Sequence, residues 1–127
     1  MYVEVTDDIE IKVEPAFVEE QSRPELSYYF FAYHVKIRNL GARTVQLLSR
    51  HWIITDGSGV TEEVKGPGVI GEQPKLAPGN EFEYTSFCPL TTPTGNMRGT
   101  YQMEDNLGNR FEARIPLFFL RTPLSLH

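Results

Sequence analysis

The sequence predicts an all-β protein, an immunoglobulin or fibronectin type III-like β-sandwich of about seven or more antiparallel strands, and three observations carry that reading. No stretch long enough for an ordinary helix escapes interruption by Gly or Pro or a period-two alternation. Short alternating apolar runs recur along the chain, and turn-forming residues separate them at the spacing sandwiches show. A closed barrel is the structural alternative. At 127 residues the chain has the size of a single domain over 1–127, with a core from about Ile9 to Leu120 and a loose tail over 121–127.

The strands follow in order. In Ile9-Glu10-Ile11-Lys12-Val13-Glu14 the apolar side chains share one face and the charges the other, and Pro15 ends the strand or marks an edge. Residues 28–38, YYFFAYHVKIR, put Phe31, Tyr33, Val35 and Ile37 inside and His34, Lys36 and Arg38 outside, with Asn39-Leu40-Gly41 as the turn that follows. The run VQLLSRHWIITDGSGV carries Leu48, Trp52 and Ile54 in one phase and closes on Asp56-Gly57-Ser58-Gly59, residues that tolerate the positive φ of a tight hairpin. Trp52 is expected to fill the core, so Arg50 on the same face needs a carboxylate partner or a place near the rim. After a glycine-rich loop, Phe82 to Cys88 form a further strand, and GNMRGTYQMEDNLGNRFEARIPLFFL forms a hairpin turning at Asp105–Asn109.

Composition excludes several classes of function. A net charge of −5, with twelve Lys and Arg scattered without a run, argues against nucleic acid as the main partner. No stretch is apolar and uninterrupted enough for a membrane span. The N-terminal residues lack the basic and apolar regions of a secretory signal, and the lone Cys88 excludes an internal disulfide, which together predict a cytoplasmic setting.

Gly66-Pro67-Gly68-Val69-Ile70-Gly71 fits the G-x-G-x-x-G pattern of pyrophosphate loops. That pattern works where a helix follows, and here Glu72-Gln73-Pro74 and Pro78 forbid one, so the dinucleotide fold is rejected. The loop is expected to cross the sandwich with Val69 and Ile70 tucked onto the core, its amides free for an anion nest as the alternative. Lys65 and Lys75 flank it and would neutralise phosphate, and His51 is placed to act with it.

Cys88, in phase with Phe82 and Tyr84, reads as a buried hydrophobe rather than a nucleophile for His34 or His51. No catalytic constellation appears, and the protein is read as a non-enzyme. No His or Cys spacing suits a transition metal, and Asp7, Asp8 and Glu10, or Glu62 and Glu63, are solvated strand ends to which no metal is assigned.

The segments LLSRHWIITDGSG, VKGPGVIGEQPKLAPGNEFEYTS, TPTGNMRGTYQM and FEARIPLFFL resemble the bacterial ApaG family over nearly the whole chain. The resemblance implies a fibronectin type III-like sandwich in which Gly66, Gly68, Gly71, Glu72, Gln73 and Pro74 form the family's signature loop, with Arg50, His51, Lys65 and Lys75 as flanking contacts. It implies a protein–protein interaction role, as in eukaryotic relatives where the domain is joined to an F-box protein or a polymerase-interacting protein. It also implies a link to cobalt and magnesium resistance or efflux, through another component because no membrane span is read. No cofactor is assigned, magnesium or cobalt has no identified ligands, and dinucleoside polyphosphate is the alternative ligand. The partner protein is unnamed, and either a monomer or a homodimer fits. Phe87 departs from the small residue expected there.

Overall fold

The computed structural model describes residues 1–123, and nine strands run through them. They are β1 (Tyr2–Thr6), β2 (Ile9–Phe17), β3 (Tyr29–Asn39), β4 (Val45–Asp56), β5 (Thr61–Pro67), β6 (Lys75–Leu76), β7 (Glu81–Leu90), β8 (Thr94–Asp105) and β9 (Arg110–Arg121). Two 3₁₀ turns, Glu19–Gln21 and Pro24–Leu26, join β2 to β3. One sheet has the order β1-β2-β3-β7 and the other β5-β4-β8-β9, with β6 pairing β4, and every pairing is antiparallel.

The period-two alternation places the core between the sheets. Ile9, Ile11, Val13, Phe31, Val35 and Ile37 from one sheet meet Leu47, Trp52, Met97, Tyr101 and Phe118 from the other, all buried. At the centre Trp52 packs edge-on against Tyr33 and Phe118, with ring centroids 5.2 and 5.9 Å away. Such aromatic pairs add directional attraction to the area they remove from water. Trp52 is thus the core anchor its position in the alternation predicts.

Three details differ from the alternation. Ordered structure reaches back to Tyr2, because β1 pairs with β2 ahead of Ile9. Pro15 does not end β2, which continues to Phe17; it lies past Val13, the last β2 residue paired with β1, where a missing N–H costs no ladder bond on that side. In β4 it is Leu47, not Leu48, that is buried in the core. Leu47 pairs with Met103 and Ser49 with the adjacent Gln102, so Leu48 is the extra residue of a β-bulge. The bulge reverses the facing of the strand, which is why Leu47 and Trp52, an odd number of residues apart, both point inward.

At the C-terminal end β9 runs to Arg121, and the Thr122 amide donates to Pro93 O. The expected loose tail therefore begins with ordered residues, and 124–127 lie outside the described ones.

Candidate functional site

The glycine-rich segment is a small hairpin set between β5 and β6. Val69 and Glu72 exchange backbone hydrogen bonds, Val69 N to Glu72 O at 2.8 Å and Glu72 N to Val69 O at 2.9 Å. The two residues they enclose, Ile70 and Gly71, have φ of 43° and 79°, the type I′ pattern whose twist matches antiparallel strands. Gly68 also has positive φ, 61°, and a Cβ there would lie 2.3 Å from Glu72 O, so the hairpin closes only around a hydrogen at this position.

What docks the hairpin is the bulge in β4. The Leu48 carbonyl receives the Gly68 amide at 2.8 Å and the Gln73 side-chain Nε2 at 2.8 Å. Just before it in β4 the Leu47 amide donates to Pro74 O, and Gln46 Nε2 donates to Gln73 O. Arg50 completes the attachment: its Nη1 donates to Pro67 O at 3.0 Å and Gly68 O at 2.9 Å. Its guanidinium also lies against Gly66, where a Cβ would come within 3.1 Å of Nη1. Of the two expectations for Arg50, a carboxylate partner or a place near the rim, the first is replaced by these two carbonyls, and the half-buried side chain lines a surface depression. A charged donor forms stronger bonds to such acceptors than a neutral one does.

Val69 is sealed in the core at 1% exposure, but Ile70 is not tucked in beside it. Ile70 stands at the hairpin tip with 56% of its surface exposed, because adjacent turn residues cannot both face the core. The amides of Gly68, Val69 and Glu72 are all used within the protein, which removes most of the donors an anion nest would require.

Arg50, His51, Lys65 and Gly66 line one shallow depression of about 290 Å³ with Ser49, Gln102 and Glu112. Ser49 Oγ donates to Gln102 Oε1, and Gln102 Nε2 donates to Thr100 Oγ1 and Glu112 Oε2. His51 Nε2 pairs with Glu63 at 2.9 Å, so its closest side-chain partner is a carboxylate rather than the loop. Lys75 lies on the other side of the hairpin, at the start of β6, and does not line this depression. A recess of about 640 Å³, lined by Phe17, Pro24, Tyr29 and Pro93 among others, includes none of the site residues expected from the sequence.

Beneath Arg50 the space between the sheets is lined by tyrosines. Tyr84 and Tyr101 share a hydrogen bond between their hydroxyls at 2.5 Å. Burial pushes both hydroxyls well above the usual range, and the nearby Arg50 charge opposes that rise. Cys88 is buried as its phase predicts, and burial pushes its thiol up to about 11. His34 binds Thr85 and Glu83 on the outer face of the first sheet, so neither histidine is turned toward the thiol. Among the described residues no group of three or more His, Cys, Asp or Glu is placed to hold a metal ion, and no helix is long and apolar enough to cross a membrane.

The sequence reading named Arg50, Gly66, Gly68 and Gln73 but missed Leu48, whose carbonyl organises them. The signal is present in the sequence, since Val45 and Leu47 cannot share a strand face with Trp52 and Ile54 unless one residue is extra.

The ApaG domain model matches residues 19–105. Protein ApaG from Paramagnetospirillum magneticum is 54% identical over 97% of this chain and 95% of that protein, and Protein ApaG from Bradyrhizobium diazoefficiens is 56% identical over the same shares. The crystal structure of an ApaA protein from Bordetella pertussis superposes with a TM-score of 0.90 at 52% identity, covering 91% of this chain and 94% of that one. The C-terminal domain of wzt, at 11% identity and a TM-score of 0.56, shares the fold alone. With more than half of its length in the domain match and relatives aligned almost end to end, the chain belongs to the ApaG domain family.

Proposed function

We propose that this chain is a non-enzymatic binding module that works by protein–protein interaction in the cytoplasm and influences cobalt and magnesium resistance through its partner. The observation that supports this reading is the construction of the signature hairpin. Its backbone donors are used on β4 or within the hairpin itself, and the Gln73 side chain is tied to β4, while the side chains of Lys65, Ile70 and Glu72 are left outward. A loop built in this way offers a fixed surface of side chains, which is how sandwich domains recognise other proteins.

Among the described residues Lys65 and Glu72 enter no hydrogen bond or ion pair through their side chains, so reversing both charges should leave the fold intact. The immobilised protein is expected to enrich a partner from cell extract that the Lys65→Glu, Glu72→Lys double variant loses. Extract from which the wild-type protein enriches nothing would overturn the reading.

One arrangement favours a second reading, a binding protein for pyrophosphate-containing nucleotides. Lys65 and Lys75 are both exposed and flank the hairpin along the same side of β4. Calorimetry with diadenosine tetraphosphate, with and without Mg²⁺, tests it; no heat in either titration removes it.

A further inference from the structure

Four non-glycine residues among the described ones have positive φ: Asp7, Asp8, Ser27 and Ile70. Three have short polar side chains, and Asp is among the residues that tolerate the left-handed region best. Ile70 is the exception, since a β-branched side chain at φ 43° crowds its own backbone. A type I′ turn asks for Asn, Asp or Gly at this position.

Burial does not explain the choice either, because the side chain is 56% exposed. Exposure alone would mean little, since Val60 and Leu107 are each 65% exposed at other turns. Neither of those carries positive φ. Ile70 therefore combines two unfavourable choices, strain and apolar exposure, at the tip of a hairpin held by the Leu48 carbonyl and Arg50.

We infer that Ile70 is an anchor that the partner protein receives in an apolar pocket shaped for a branched aliphatic side chain. The inference rests on the protein-binding reading above and names the chemistry of its contact. The hairpin beneath is held by the Val69–Glu72 pair, the Leu48 carbonyl and Arg50, so the side chain is presented with little freedom left to lose on binding. Exposed polar residues, Glu72 and Gln73, follow it after Gly71, giving an apolar centre with a polar border, the usual arrangement of an interface hot spot. A convex knob requires a concave, preformed receptor, which selects a folded partner over an extended peptide.

The test uses the full chain carrying benzoylphenylalanine at Glu72, with a second probe at Phe87 on the exposed edge strand β7. Cross-linked protein from the source cell is identified by mass spectrometry and purified, and its affinity is measured for wild type, Ile70→Asn and Ile70→Val. Asn suits positive φ, so Ile70→Asn is expected to melt roughly 3 °C higher than wild type while its affinity falls about thirtyfold. Ile70→Val should stay within about fivefold of wild type. Adducts mapping to an apolar pocket of the partner complete the expected result. An affinity for Ile70→Asn equal to wild type, or a lowered melting temperature, overturns the inference. Adducts from Phe87 but none from Glu72 overturn the anchor while leaving protein binding in place, and adducts from neither position overturn both.

Discussion

Two glycine-containing turns in this protein are held in opposite ways. The turn between β8 and β9 is closed mainly by its own residues: Asp105 Oδ1 accepts from the amides of Leu107 and Asn109, and Oδ2 from the Asn109 side chain, with Arg43 Nη1 reaching Oδ2 from outside the turn. The hairpin at Val69–Glu72 depends on Leu48 and Arg50, residues far away along the chain. A self-contained turn is written in a few adjacent residues and folds wherever its strands meet. A docked hairpin takes its shape from a surface that exists only after β4 has formed its bulge. The difference separates a connection from a presented surface, and it can be tested one residue at a time.

The largest effect is expected at Gly68. Alanine there meets the Glu72 carbonyl at 2.3 Å and must also hold positive φ. The left-handed penalty of about 1–2 kcal/mol and an overpacking penalty of about 1–3 kcal/mol combine to roughly 3 kcal/mol. Urea denaturation measures it, and a loss below about 1 kcal/mol would show that the hairpin is not closed as described.

Arg50→Met comes next. It keeps much of the side-chain length and leaves Pro67 O and Gly68 O without their donor, for a loss of about 2 kcal/mol. Amide exchange should quicken at Val69 and Glu72 and stay unchanged at Leu107 and Asn109. Equal acceleration at both turns would erase the distinction between docked and self-contained.

Gly71→Ala sharpens the comparison with Gly68, because both glycines have positive φ but nothing lies within 4 Å of a Cβ at Gly71. Its cost should be confined to the conformational term, about 1 kcal/mol. A loss as large as that of Gly68→Ala would mean that backbone conformation, not the close approach of Glu72, decides the site.

The smallest effect belongs to Asp105→Ala, expected to quicken exchange at Leu107 and Asn109 and leave Val69 and Glu72 alone. The hydrogen bonds from the Asn109 amide hold the Asp105 carboxyl below its ordinary pKa, with the Leu107 amide and Arg43 acting in the same direction. A carboxyl depressed in the folded state binds its proton less readily there than in the unfolded chain. Its contribution is therefore present above about pH 4 and fades as the pH falls through the lower folded value. Protection at Leu107 should follow that fall in wild type, and a pH-independent protection would contradict it.

The strands were legible because alternation is a local property. Ile9, Ile11 and Val13 of β2 and Phe31, Tyr33, Val35 and Ile37 of β3 follow from their sequence phase and are all buried. The Asp105 turn was legible for the same reason, since the Leu107 and Asn109 amides that close it lie within it. The glycine pattern identified the hairpin as a special backbone but misplaced Ile70, because packing both Val69 and Ile70 on the core ignores that the turn carries its central residue away from the sheets.

The sequence by itself determined the longer strands, the inward faces of β2 and β3, the Trp52 anchor and the turn at Asp105–Asn109, because each rests on side-chain alternation or on neighbours a few residues apart. Tertiary structure alone decided that Leu48 would bulge, that its carbonyl would hold Gly68 and Gln73, that Arg50 would choose backbone carbonyls over a carboxylate, and that Ile70 would face outward. Each of these depends on a hydrogen-bonding group meeting a partner from a distant part of the chain, and the chemistry of either residue alone does not specify that meeting.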